Sequence, residues 1–327
     1  MIICGESQVS SGYKKLQRFF AKAKICEVQL AKLIVRLAGL EGRRWTLVID
    51  RTNWKVGRKH INILVLSVEW HGIGIPILWS MLGNKGGNSN SCQREELIDK
   101  FIKIFGVSSV ENLLADREFI GDKWLTFLDD KSIKFYIRIR SDLTIGRYEK
   151  ELVTANSKVK KLKNGESIIL KGERYLGKNY QGPKVKIAAM RNDEGELVIV
   201  ATNDKPGQAL QIYRQRWSIE TLFACLKTRG FNFENTHMVE LAKIEKLLAM
   251  LALAFTLCHI VGIWQNEITP IKFKKKIDRK AMSLFRYGLD YLRQMFFCPF
   301  NLAGKVKEIA TLFLPHSSSN QKLLTIC

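Results

Sequence analysis

Three apolar runs stand almost back to back: "WTLVIDRTNW" from Trp45, "KHINILVLSVEW" from Lys59 and "GIGIPILWSML" from Gly72. Each alternates or is continuously apolar, and the breaks between them are too short for anything but a turn. This pattern predicts three consecutive antiparallel strands, the first stopping at Asp50. A stretch of helical period, "CQREELIDKFIKIFG", comes next, then a strand in "VENLLADREF" ending at Asp116. The amphipathic "GDKWLTFLDD" and the strand "KFYIRIRSD" complete a mixed α/β pattern. Both aspartates fall at predicted strand ends, where open sheets usually place their ligands.

The flanking segments have other textures. Tyr13 to Leu40 repeats apolar residues at helical spacing with cations between, which predicts one or two basic helices. From Leu143 to Asn203 short alternating runs broken by Gly and Asn predict a β-rich insertion. Helical period returns from Gln208 through Lys227 and again from Met238 to Gln265, and the run "KFKKKIDRK" opens a terminal helical piece. The expected division is a basic helical segment 1–42, a core of 43–142 with 207–265, an insertion 143–206 and a basic helical segment 266–327. The apolar "LLAMLALAFTLCHIVGIW" at 247–264 reads as a buried core helix before a membrane span, since it carries Thr256, Cys258 and His259. "GNKGGNSNS" lacks the Gly-Lys-Ser/Thr ending of a phosphate loop and reads as a flexible connection, so no nucleotide cofactor is expected.

Charge narrows the partners. Lys and Arg number 53 against 31 Asp and Glu, a formal +22, which fits a polyanion whose condensed counterions are released on binding. The 7 cysteines are scattered without a C-x-x-C pair, arguing against a disulfide framework or zinc site and for a reducing compartment. The 5 histidines show no H-E-x-x-H spacing, and His60 and His71 read as ordinary strand or turn residues. Any metal must therefore rest mainly on oxygen ligands, which suits magnesium or manganese.

The helical stretch "YRQRWSIETLFACLK", Tyr213 to Lys227, sets one acid, Glu220, among cations. At about 3.6 residues per turn, Tyr213, Arg216, Glu220 and Lys227 share one face. Glu220 could then hold a metal while Arg216 and Lys227 grip phosphates, with Trp217 supporting the helix from another side. By itself the pair Arg216–Glu220 reads first as a surface contact worth about 0.3–0.5 kcal/mol. Asp50, Asp116 and Glu220 taken together favour a shared site.

These residues resemble the DDE transposases of bacterial insertion sequences, in the IS-four group with its Tyr-Arg-Glu-Lys signature. Tyr213, Arg216, Glu220 and Lys227 fit that signature, while "IDRTNW" around Asp50 and "ADREFIG" around Asp116 resemble its two aspartate motifs. The resemblance implies a ribonuclease-H-like mixed-sheet core interrupted by the β-rich insertion, with first and fourth strands adjacent. It implies Asp50, Asp116 and Glu220 as catalytic metal ligands for two Mg2+ or Mn2+ ions, and Tyr213, Arg216, Trp217, Lys227 and Arg117 as DNA contacts. The activity implied is cleavage at element ends and transfer of the freed 3′-hydroxyl into target double-stranded DNA. A homodimer in the synaptic complex, and a cytoplasmic, nucleoid-associated protein without membrane attachment, are implied as well.

Relatives can pass through a DNA hairpin with a flipped base stacked on an aromatic of the insertion. This insertion has no Trp, leaving Tyr175 and Tyr180 as candidates. The segment ahead of Trp45 is shorter than in relatives, with Lys14, Lys15, Arg18, Lys22 and Lys24 as phosphate contacts. Two alternatives share these features: an inactive transposon-derived DNA-binding protein, and a structure-selective nuclease on the same core.

Overall fold

The three predicted strands pair in register. In this computed structural model, which describes residues 9–83, 87–148, 151–178, 182–274, 279–297 and 304, 306, 307 and 309, they are β1 (Trp45–Val56), β2 (Lys59–Trp70) and β3 (Ile73–Met81). Val56 faces Lys59 across a tight turn in which Gly57 takes φ 59°, a value open to glycine without strain. The helix α3 (Ser91–Phe105) then returns the chain to β4 (Val110–Ala115), which lies parallel to β1, and α4 (Asp122–Asp130) leads to β5 (Phe135–Arg138), parallel to β4.

The insertion joins this sheet. Its elements are β6 (Thr144–Gly146), β7 (Val153–Thr154), α5 (Ala155–Val159), β8 (Ser167–Ile169), β9 (Tyr175–Leu176), β10 (Lys186–Arg191) and β11 (Leu197–Thr202). β6, β7 and β9 form a small sheet of their own, but β11 pairs antiparallel with β5. The result is one 8-stranded sheet in the order β3-β2-β1-β4-β5-β11-β10-β8. Its first five strands, with β2 alone reversed among them, have the ribonuclease-H-like arrangement. Leu47, Val48 and Ile49 on β1 are all fully buried, so both faces of the sheet are covered there. α3 contributes Phe101 and Phe105 against Trp45, with ring centroids 5.8 and 5.1 Å away.

After β11 come α6 (Ala209–Arg214) and α7 (Trp217–Leu226), then α8 (Leu241–Ile268), the two-residue strands β12 (Phe273–Lys274) and β13 (Arg279–Lys280), and α9 (Leu284–Phe297). At the other end of the chain, α1 (Val9–Lys22) and α2 (Glu27–Leu37) precede β1. Contacts divide the chain into two compact units: Gly42–Phe223, and Met1–Glu41 with Ala224–Cys327. This differs from the four segments expected from sequence. The insertion is stitched into the central sheet by backbone hydrogen bonds, and α8 packs against α9, α2 and α1 within the helical unit.

α8 is long and apolar enough to cross a membrane by length and composition, and 50% of its most apolar stretch is buried within the protein. Its Gly262 and Gly288 of α9 meet backbone to backbone: an added Cβ on Gly262 would lie 1.9 Å from the Leu284 carbonyl oxygen, and one on Gly288 1.8 Å from that of Cys258. Small residues here let the two helix backbones touch. Burial pushes the Cys225 thiol up to about 11 and the Cys258 thiol up to about 12, so both stay protonated and inert.

Candidate active site

Asp50 is in the middle of β1, not at its end: the strand runs on to Val56 as a hairpin arm paired only with β2. The parallel partner is what stops. The last pair between β1 and β4 is Ile49 with Ala115, so Asp50 comes next on β1 and Asp116 just past the end of β4, one step beyond that pair on each side. The expected neighbourhood of the two acids therefore arises from β4 ending, while β1 keeps Asp50 on a rigid element.

Glu220 arrives on a helix with a break before it. A continuous helix from Gln208 to Lys227 was expected; instead α6 ends at Arg214 and α7 begins at Trp217. Between them the backbone tightens to bonds three residues apart: Arg216 N–H to Tyr213 O at 3.0 Å, Ser218 N–H to Gln215 O at 3.0 Å and Ile219 N–H to Arg216 O at 3.2 Å. Such a 3-10 stretch superimposes side chains three apart. It puts the Arg216 guanidinium 5.7 Å from the centre of the Tyr213 ring.

α7 lies close on the sheet because β3 offers it a glycine. A Cβ on Gly74 would stand 2.8 Å from Ser67 Oγ, 3.3 Å from the Ile219 Cα and 3.3 Å from the Ser218 carbonyl oxygen. Ile219, next to Glu220, is fully buried there. Trp217, expected to brace the helix, is instead 65% exposed. Arg117, one residue past Asp116, is also exposed.

Arg216 ties the acids together. Only 6% exposed, it donates through Nη2 to Glu220 Oε1 and places Nη1 3.6 Å from Asp50 Oδ2. Tyr213 donates its hydroxyl to Asp116 Oδ1 at 3.4 Å. Burial works against the Arg216 charge, but Tyr213, Glu220 and Asp116 together hold its pKa above the usual value. As placed, this fork serves carboxylates and not phosphates. Lys227, just past α7, forms an ion pair with Glu234 at 2.6 Å.

Asp50 carries the largest resolved acid shift of the site. Burial pushes its carboxyl up to about 7, Glu118 and Asp116 adding to the rise while the Arg51 amide, which donates to Oδ1 at 2.7 Å, and Arg216 oppose it. A cation entering this place would be welcomed electrostatically. Among the described residues, however, no three His, Cys, Asp or Glu side chains are gathered closely enough to hold a metal ion. The donor set is carboxylate oxygen, as a hard divalent ion prefers, and a guanidinium already bridges two of the three acids. The residue types fit magnesium; their present spacing accommodates Arg216.

A second polar layer was not anticipated from sequence. Arg51 makes a two-pronged bond to Glu118 at 3.2 and 3.1 Å and reaches Asn62 Oδ1 at 3.2 Å and Asn88 Oδ1 at 3.3 Å. Arg94, 4% exposed, donates to Ser89 Oγ at 2.8 Å and to the Glu118 carbonyl at 3.1 Å, with its guanidinium 4.7 Å from the Phe119 ring centre. Gly87–Asn90, part of the loop read as a flexible connection, are thereby tied to the acid-bearing strands, and Asn90 caps α3 in a reciprocal box with Gln93. The repeated Asp-Arg step, Asp50-Arg51 and Asp116-Arg117-Glu118, was the available clue, as was Arg94 at the apolar spacing of Leu97, Ile98 and Phe101.

In the insertion, Lys184 Nζ stands 5.3 Å from the Tyr175 ring centre, while Tyr180 lies outside the described residues, as do Lys275–Asp278 of the basic run.

Residues 41–257 match the family model of the transposase DDE domain. No curated protein sequence matches the chain. Among solved structures, a piggyBac transposase synaptic complex with hairpin DNA aligns at 12% identity and TM-score 0.39, covering 86% of this chain and 56% of that one. The chain thus spans little more than half of that structure's length. Human ENDOV aligns at 12% identity and TM-score 0.34, covering 64% of this chain and 99% of that one. An Endonuclease V of Ciona intestinalis, in complex with a 23mer DNA containing an inosine, aligns at 10% and 0.32, over 64% and 93%.

Proposed function

From the premise that this chain belongs to the transposase DDE domain family, we propose that it is a DNA transposase that cuts at the ends of an insertion sequence and joins the freed 3′-hydroxyl to target DNA. The observation that carries this is the meeting of Asp50 and Asp116 beyond the last pair of β1 and β4, with Glu220 linked to Asp50 through Arg216. Fit to the Tyr-Arg-Glu-Lys signature supports the IS-four group.

Asp50, Asp116 and Glu220 would hold divalent magnesium or manganese, two ions in the full site, and when bound these activate a water or 3′-hydroxyl and stabilise the leaving oxygen. The chain supplies the rest. β1 and β4 hold two carboxylates without side-chain search, and Gly74 sets the height of the helix bearing the third. Tyr213 donates its hydroxyl to Asp116. Exposed Arg117 and Trp217 are available to a backbone phosphate and a base face beside the acids. A homodimer on paired ends and a cytoplasmic, nucleoid-associated location complete the proposal.

The test is a duplex carrying the element end, incubated with protein and Mg2+ or Mn2+. Nicking followed by strand-transfer products is expected; nicking alone would indicate a nuclease, and binding without nicking a DNA-binding remnant. Asp50→Ala, Asp116→Ala and Glu220→Ala should each abolish cutting while retaining duplex binding, and normal cutting by any one would remove it from the site.

A further inference from the structure

Arg216 is committed where the proposed chemistry needs a vacancy. A single side chain, nearly closed off from water, donates to Glu220, approaches Asp50 to 3.6 Å and caps the Tyr213 ring whose hydroxyl holds Asp116. No triad of acidic side chains among the described residues is close enough to hold a metal, so Asp50, Asp116 and Glu220 do not share one ion as they are placed. The guanidinium stands between the acids that would have to close on them.

Resting on the proposed cleavage chemistry, we infer that Arg216 is the resident counter-ion of this acid site, keeping Asp50 and Glu220 turned to one point until a divalent cation exchanges for it. It is a positioning residue. The 3-10 turn from Tyr213 to Ile219 is the segment whose adjustment lets the guanidinium swing away, since bonds three residues apart are aligned less well than those of a regular helix. Like charges cannot share the space, so metal entry and Arg216 departure are one exchange, and the released fork becomes free to take a phosphate oxygen.

The exchange predicts that removing the competitor tightens metal binding. Manganese alone would be titrated into the full chain without DNA, following free Mn2+ by electron paramagnetic resonance, for wild type, Arg216→Gln and Arg216→Lys. Arg216→Gln should bind Mn2+ roughly tenfold or more tightly, the worth of one charge-assisted hydrogen bond no longer broken. Arg216→Lys keeps the charge but cannot bridge both acids, and should fall between. Equal or weaker binding by folded Arg216→Gln overturns the inference.

A readout on the wild type needs no variant. The Arg216 Nη–H resonances should be sharp and protected without metal and lose their protection on titration with Mg2+. If they are unchanged when Mg2+ saturates the site, the counter-ion role is wrong. Failure of the wider proposal looks different: Asp50→Asn, Asp116→Asn and Glu220→Gln would then bind Mn2+ as well as wild type.

Discussion

Asp50 is an acid kept where its charge is costly, and the cost has a pH signature. Its ordinary pKa of 3.8 rises to about 7 in the folded chain, chiefly through burial, so the folded state holds the proton that the unfolded state gives up. Stability at this group therefore falls as pH climbs from the unfolded value through about 7, and the loss is complete above that. Asp50→Asn should accordingly melt higher than wild type in metal-free alkaline buffer, by on the order of 4 kcal/mol at most, while losing all cleavage. The gain should shrink as the pH is lowered, and a gain independent of pH would show that burial of the charge is not its source. Arg94 is the opposite case, a buried cation whose bonds hold two loops. Arg94→Met leaves the Glu118 carbonyl and Ser89 without their donor and should cost about 1–3 kcal/mol in urea unfolding, with slower cutting through misplaced loops. Asp50 and Asp116 were singled out as acids closing predicted strands, although β1 runs on past Asp50 to Val56, whereas Arg51, Glu118 and Arg94 were not singled out, because their roles depend on partners far away in sequence.

Elements show the same division between local and distant information. Alternation announced β1 to β3 and helical period announced α3 and α4, since those patterns are set by neighbours within a few residues. The interruption between α6 and α7 left no such trace: Tyr213, Arg216 and Glu220 suit a continuous helix as well as a broken one. Nor could alternation reveal that β11 pairs with β5, which only backbone partners across the chain decide. Helix placement depends on two glycine contacts that sequence alone leaves unremarked. Gly74→Ala should push α7 off the sheet and slow cleavage with little loss of DNA binding, and Ser67→Ala added to it should restore part of the rate by removing the nearest obstructing atom. Gly288→Ala should be harsher, since its new Cβ meets a backbone carbonyl that cannot move alone. A loss of more than about 3 kcal/mol in thermal or urea unfolding is expected.

For the whole molecule, charge should govern the proposed encounter with DNA. With a formal +22, duplex affinity should fall steeply with salt, by roughly 10³–10⁵ between about 50 and 200 mM if about 6–10 phosphates are neutralised. Arg117→Ala should lessen that slope by about one contact, whereas Arg216→Gln should alter it little without metal, since Arg216 is then occupied by acids. A fluorescence anisotropy titration at several salt concentrations measures both. The split of the chain also matters at the ribosome. α1 and α2 are made before the 8-stranded sheet, yet α8, against which they pack, is made only after it. A translation product that stops at Phe223 would carry two apolar helix faces with nothing to cover them, bait for chaperones and proteases, so quality control would clear unfinished copies.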